Sequence, residues 1–137
     1  MSAPQTQFEA SLPSETNMRA LRHWREVLTA GMRGEGADLT VRQMAILLTI
    51  YMDNPPATVR GLASHLGLAK PAVTRALDRL ERLGFARRGP DPSDGRNVLI
   101  HRTVAGAMHL YQFAETIGGL ERPATASGER AAASADG

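Results

Sequence analysis

The chain has 137 residues, 42% of them apolar and 22% charged, with a net charge of +2 and no cysteine. That length suits one domain with a modest core, and the missing cysteines exclude disulfides, thiol redox sensing and thiolate metal sites. No apolar run approaches the roughly 18–20 residues of a membrane span. The opening, MSAPQTQFEASLPSET, lacks a basic start followed by an apolar core, so no secretory signal is read and the cytoplasm is the expected location.

Residues 1–12 are small and polar and are expected to be disordered. From Pro13, PSETNMRALRHWREVLTAGMRGEG reads as a helix capped by Ser14, with Met18, Leu21, Trp24 and Leu28 at helical spacing and Gly31 at its end. That stripe needs a partner, either the core or another chain. TVRQMAILLTIYMD (40–53) reads as a second helix capped by Thr40, with Met44, Leu47, Leu48 and Tyr51 on its inner face, and NPP at 54–56 breaks it. A short helix follows, TVRGLASHLG (58–67), with Thr58 as cap and Gly67 as terminator. In KPAVTRALDRLERLG (70–84), Pro71 suits the first turn, Val73, Ala76, Leu77 and Leu80 form the buried face, and Gly84 closes the helix. FARR (85–88) and NVLIHR (97–102) read as the strands of a hairpin around GPDPSDGR. The last helix, TVAGAMHLYQFAETIGGL (103–120), is apolar nearly all round. Met108, Leu110, Tyr111, Phe113 and Ile117 cannot all face one small core, so a second subunit is expected to cover part of it. Residues 121–137 lack apolar periodicity and are expected to be disordered, which leaves 13–120 as the folded domain.

Charge is uneven along the chain. Residues 1–54 carry five arginines against six acids, 55–103 nine cations against four acids, and 104–137 two against four. A basic centre between mildly acidic ends suits a polyanion-binding core, although a solvated basic surface has the same composition.

Helix, short helix, longer helix and hairpin, in that order, make a winged helix-turn-helix, so the fold class is mainly α with a small β-hairpin. Ala63 supplies a small residue where the two motif helices cross, and Gly67 the tight turn between them. With Val73, Ala76, Leu77 and Leu80 inward, the outward set is Lys70, Pro71, Thr74, Arg75, Asp78 and Arg82. From a helix in the major groove, Thr74 and Arg75 reach base edges or phosphates, and Lys70 suits a phosphate. Asp78 would repel phosphates, so it lies beyond the contact or pairs with a neighbouring arginine. Arg79 and Arg82 read equally well as ordinary helix-surface charges.

The stretch from about Leu39 to Ala107 resembles the MarR family of bacterial transcriptional regulators. TVRGLASHLGLAKPAVTRALDRLERLGFARRGPDPSDGR carries the likeness: a helix-turn-helix, then LE-x-x-G-hydrophobic-x-x-R, then a wing D-P-x-D-x-R, here Asp91, Pro92, Asp94 and Arg96. The resemblance implies a homodimer built from the N- and C-terminal helices, a recognition helix in the major groove of double-stranded DNA, and a wing arginine in the minor groove. Asp94 is expected to hold Arg96 extended, and Arg87 or Arg88 to add phosphate contacts. The chain departs from the family pattern in three places. Gly95 stands where many members have a second basic residue, so the wing tip carries less charge. Arg102 stands at a usually apolar position, so that junction is expected to be more solvated. The region after the wing ends near Leu120, where members carry a longer helical pair, so the dimer interface is expected to be reduced.

The expected function is therefore a sequence-specific DNA-binding transcriptional regulator, a dimeric repressor on a pseudo-palindromic operator, cytoplasmic and nucleoid-associated. Its DNA-contacting residues would be Lys70, Pro71, Thr74, Arg75, Arg87, Arg88, Asp94 and Arg96. The alternatives are a winged-helix protein-interaction module and a nonspecific nucleoid-type DNA binder. No nucleophile–base pair, phosphate loop or metal signature is present, so neither enzymatic activity nor a cofactor is expected. His23, His65, His101 and His109 lack metal-ligand spacing. Trp24, Tyr111 and Phe113 suit either a small-molecule effector pocket or ordinary core and dimer packing.

Overall fold

Among the residues described by the computed structural model, 13–34 and 36–121, five helices and three short strands follow one another. They are α1 (Glu15–Arg33), α2 (Val41–Met52), β1 (Ala57–Thr58), α3 (Val59–Leu66), α4 (Lys70–Arg82), β2 (Ala86–Pro90), β3 (Val98–Arg102) and α5 (Val104–Glu121). The stretches expected to be disordered, 1–12 and the tail after residue 121, lie outside the described residues. The chain divides into two compact units: residues 34–115, and a second unit that contains α1 and the end of α5 from residue 116.

Local chemistry sets most helix ends in the 34–115 unit. Thr40 and Gln43 form a reciprocal capping box, Gln43 N donating to Thr40 Oγ1 at 3.1 Å and Thr40 N to Gln43 Oε1 at 3.0 Å. Thr58 Oγ1 accepts from Gly61 N at 2.9 Å to start α3. Gly67, at φ +64°, then turns the chain in the left-handed region, and Leu68 N reaches back to Ala63 O at 2.9 Å. A Cβ is disfavoured at that φ, which is why glycine stands at the turn of the motif. α4 has no side-chain cap and relies on Pro71 in its first turn.

The core of this unit is Ile46, Leu47 and Ile50 of α2, Leu62 of α3, Val73, Ala76, Leu77 and Leu80 of α4, and Ala86 and Ile100 of the sheet. The four residues expected to line the inner face of α4 are all buried. The face of α2 is rotated from the expectation: Ile46, Leu47 and Ile50 are buried, whereas Met44, Leu48 and Tyr51 are only half-buried. MAILLTIYM is apolar on every side, so the spacing fits either face and packing against α4 decides.

The hairpin strands pair antiparallel from Ala86↔Arg102 to Pro90↔Val98, leaving 91–97 as the connecting loop. A strand unseen in the sequence, β1, pairs with the other side of β3 through Ala57↔Ile100 and Thr58↔Leu99, so the sheet order is β1-β3-β2.

Tyr51 ties these parts together. Its hydroxyl donates to Phe85 O at 2.8 Å, lies 3.1 Å from Thr103 O, and accepts from Thr103 N at 2.9 Å. Thr103 Oγ1 donates to Gly84 O at 2.6 Å and accepts from Gly106 N at 3.0 Å, so it also caps α5. Arg102 does more than solvate this junction. Its Nε and Nη2 donate to Ile50 O at 2.9 Å and Asp53 O at 2.8 Å, satisfying carbonyls at the end of α2, while the guanidinium lies 5.7 Å from the Tyr51 ring centroid. On α5, His109 stacks on Phe85 at 4.4 Å, and burial pushes its pKa down. No helix among the described residues is long and apolar enough to cross a membrane.

In the other unit, Asn17 N donates to Ser14 Oγ at 3.3 Å, and α1 continues past Gly31 to Arg33. Val27 is buried, but Leu21, Trp24, Leu28 and Met32 are exposed in the single chain.

Candidate nucleic-acid interface

The outward face of α4 presents Lys70, Pro71, Thr74 and Arg75, all exposed. Their spacing over one and a half helical turns puts them on one side while Val73, Ala76 and Leu77 fill the other. Arg75 also lines an open concavity of about 630 Å³, shared with Thr40, Arg42 and Gln43 at the start of α2 and floored by Leu66, Leu68, Ala72 and Ala76. The apolar period of α2 carries no signal for Arg42, which stands on its exposed side. Its proximity to Arg75 depends on how α2 packs against the motif.

Arg88 takes a different place from the one expected. Instead of projecting outward, its Nε and Nη2 donate to Glu81 Oε2 at 3.0 and 2.8 Å, and Nη2 also donates to Asp78 Oδ1 at 2.6 Å. Its backbone N–H donates to Glu81 Oε1 at 3.3 Å. One arginine of β2 thus neutralises both carboxylates of α4, including the Asp78 that would oppose phosphates, and links the helix to the base of the hairpin. The neighbouring Arg87 alternates to the opposite side of the strand and is exposed.

The Arg88 hydrogen bonds hold the Glu81 carboxyl below its usual pKa. A depressed carboxylate pKa contributes stability that is present above the unfolded-state value and lost as pH falls through the folded-state value. Glu81→Gln is therefore expected to flatten the acid side of the stability–pH curve. The change should stay under about 1 kcal/mol because the groups are partly solvent-screened. Urea unfolding across the carboxylate range checks this, and an undiminished acid slope in the variant would show the pairing to be unimportant.

The wing loop spends its acids on itself. Asp91 Oδ1 accepts from Ser93 N at 2.9 Å and Ser93 Oγ at 2.7 Å, which holds its carboxyl below the usual range. Asp94 Oδ1 accepts from the backbone N–H of Arg96 at 3.0 Å, so Asp94 orients Arg96 through the main chain and not through its guanidinium. Two successive turns result, with Asp94 N bonded to Asp91 O at 3.2 Å and Asn97 N to Asp94 O at 3.0 Å. The side chains of Arg42, Lys70, Arg75, Arg87 and Arg96 hold no ion pair or hydrogen bond among the described residues. The balance is electrostatically one-sided: the carboxylates of α4 and the wing are engaged within the fold, and cations face outward from α4, the start of α2 and the wing. Among the described residues no three His, Cys, Asp or Glu side chains group as a metal site.

The profile of the MarR family matches residues 37–97, the stretch from just before α2 to the end of the wing loop. The HTH-type transcriptional regulator Mb0904 of Mycobacterium bovis is 28% identical over 72% of this chain and 66% of its own length. The chain therefore spans just under two thirds of that curated relative. The crystal structure of transcriptional regulator Tm0710 from Thermotoga maritima is 31% identical, covering 78% of this chain and 76% of that one, with a TM-score of 0.61. The crystal structure of a mutant MarR from Escherichia coli complexed with operator DNA is 29% identical over 75% of this chain and 71% of that one, also with a TM-score of 0.61.

Proposed function

We propose that this chain, whose residues 37–97 match the MarR family, is a cytoplasmic, dimeric transcriptional repressor that binds a pseudo-palindromic site in double-stranded DNA. The observation that carries this reading is the sorting of charge just described. The recognition helix and wing offer Lys70, Arg75 and Arg96, unpaired among the described residues, while Asp78, Glu81, Asp91 and Asp94 are engaged within the fold. With α4 seated in the major groove, Thr74 and Arg75 face base edges, Lys70, Pro71 and Arg87 pack along the phosphates, and Arg96 enters the minor groove, where negative potential favours a cation. The operator complex of the E. coli relative supports DNA as the partner. Arg88 acts from behind this surface by discharging Asp78.

The dimer is inferred from apolar surface. Trp24 of α1 is 55% exposed and Tyr111 of α5 is 68% exposed, each with apolar neighbours in its own helix, and a second copy of the chain is the partner that would cover such stripes. Two-fold symmetry then sets half-sites about 10 bp apart or a multiple of that. Repression follows from occupancy of the operator.

Titration against genomic fragments, followed by footprinting, tests the reading. A protected palindrome is expected, with affinity falling by orders of magnitude between about 50 and 200 mM salt. Uniform weak binding would replace the repressor with a nucleoid-type binder, and salt-insensitive binding with a protein-interaction module. Arg42→Ala is expected to weaken every sequence about equally, roughly tenfold, and to lower the salt slope by about one, as loss of one phosphate contact does. A loss confined to particular bases would move Arg42 from the backbone to sequence readout.

A further inference from the structure

We propose that Asp94–Gly95 at the wing tip is a site of spontaneous isoaspartate formation, and that this conversion lowers the protein's affinity for DNA as it ages. The functional half of the proposal rests on the reading of the wing as a DNA contact.

The chemistry needs a carboxyl, a free amide nitrogen beside it, and little steric bulk. Both residues are exposed, and a Cβ at Gly95 would meet no atom within 4 Å. The Gly95 N–H makes no hydrogen bond among the described residues, whereas Asp94 and Asn97 both commit theirs to the turns. The Asp94 carboxyl is turned toward the backbone that follows it, its Oδ1 accepting from Arg96 N at 3.0 Å across Gly95. By contrast, Asp91 precedes Pro92, whose nitrogen carries no proton and cannot close a ring.

The reaction balances with water alone. Gly95 N bonds to Asp94 Cγ, and the hydroxyl of the protonated carboxyl leaves as water with the amide proton, giving a five-membered succinimide. Water then adds to one of its two carbonyls. Opening at Cγ restores aspartate. Opening at the original main-chain carbonyl breaks its bond to Gly95 N, so the chain now runs through Cγ and the old carbonyl becomes a free carboxylate. The loop gains one backbone carbon, the acceptor for Asn97 N changes its place, and the Arg96 turn loses its register, all without a change in net charge.

The test is to incubate the full chain at physiological temperature in neutral and mildly acidic buffers. Peptide mapping with isoaspartate-specific methylation then reads residue 94 separately from the other Asp-Gly pair, Asp136–Gly137. Converted protein is expected to accumulate at 94, the intermediate that has lost water appearing more readily at acid pH, and to bind DNA about tenfold more weakly. Gly95→Ala enters open space at a backbone conformation without positive φ. It should bind like fresh protein and resist both changes. Persistence of aspartate at 94 while residue 136 converts would overturn the chemistry. Unchanged affinity of the converted fraction would overturn its consequence. Should fresh protein show no salt-sensitive DNA binding, the DNA reading and with it the functional half fall, while the mapping still decides the modification.

Discussion

Gly106→Ala is expected to destabilise the 34–115 unit by about 2–4 kcal/mol, although alanine is normally the better helix former. At an open helical position the same change would add up to about 1 kcal/mol of stability. Here an added Cβ would collide with the Tyr51 hydroxyl and with the carbonyl oxygen of Phe85, and the second of these is backbone that cannot swing aside. Overpacking of this kind costs about 1–3 kcal/mol. Displacing Tyr51 would add the cost of stranding Thr103 N–H and Phe85 C=O, roughly 1–3 kcal/mol for each buried group left unpaired. Tyr51→Phe gives the control. It removes the oxygen that the new methyl meets, so the double variant should lose less than the two single losses added together. Denaturant unfolding of all four proteins reads the coupling. A Gly106→Ala protein as stable as its parent would mean that the close approach of α5 to this junction is not a packing constraint.

The same junction marks the limit of what the sequence discloses. Features governed by neighbours a few residues away were legible. The caps at Thr40 and Thr58, the left-handed Gly67, the four inward residues of α4 and the outward set Lys70, Pro71, Thr74 and Arg75 all follow from helical period and local hydrogen bonding. Features governed by distant neighbours were not. The Tyr51 hydroxyl meets partners 34 and 52 residues away, and Arg102 reaches carbonyls 49 and 52 residues back. In the sequence, those two read as an apolar-face residue and a departure from a pattern. β1 is two residues long and exists only because β3 has a free edge there, so no periodicity could announce it.

Charge was hardest to assign for the same reason. Arg87 and Arg88 are adjacent and identical in composition, yet strand alternation sends one outward and the other to Glu81 and Asp78. The motif text contained both partners, Glu81 in the LE step and Arg88 at its end. The two stand seven residues apart, and the helix–strand turn at Gly84 folds that spacing into a contact. Net charge alone overstates the surface available to DNA. What matters is which cations the fold leaves unpaired.

That distinction sets the largest expected effect on binding. Arg75→Ala and Arg96→Ala should each weaken operator binding by about 1–3 kcal/mol, with Arg75→Ala also relaxing base preference at the position it reads. The two lie on separate elements and share no partner among the described residues. Their losses should therefore add in free energy, and the double variant should bind roughly 30-fold to 20,000-fold more weakly. The salt slope should fall by about two if both meet phosphate oxygens, and by less if Arg75 spends itself on a base edge. Both side chains are exposed and hold no hydrogen bond or ion pair among the described residues, so unfolding midpoint and oligomeric mass should be unchanged, which separates loss of contact from loss of structure. Anisotropy titrations at two salt concentrations, on operator and on scrambled DNA, read affinity, slope and specificity together. If Arg96→Ala leaves the dissociation constant unaltered while Arg75→Ala removes specific binding, the wing has no part in recognition, and the self-satisfied Asp91 and Asp94 serve only to stabilise a turn.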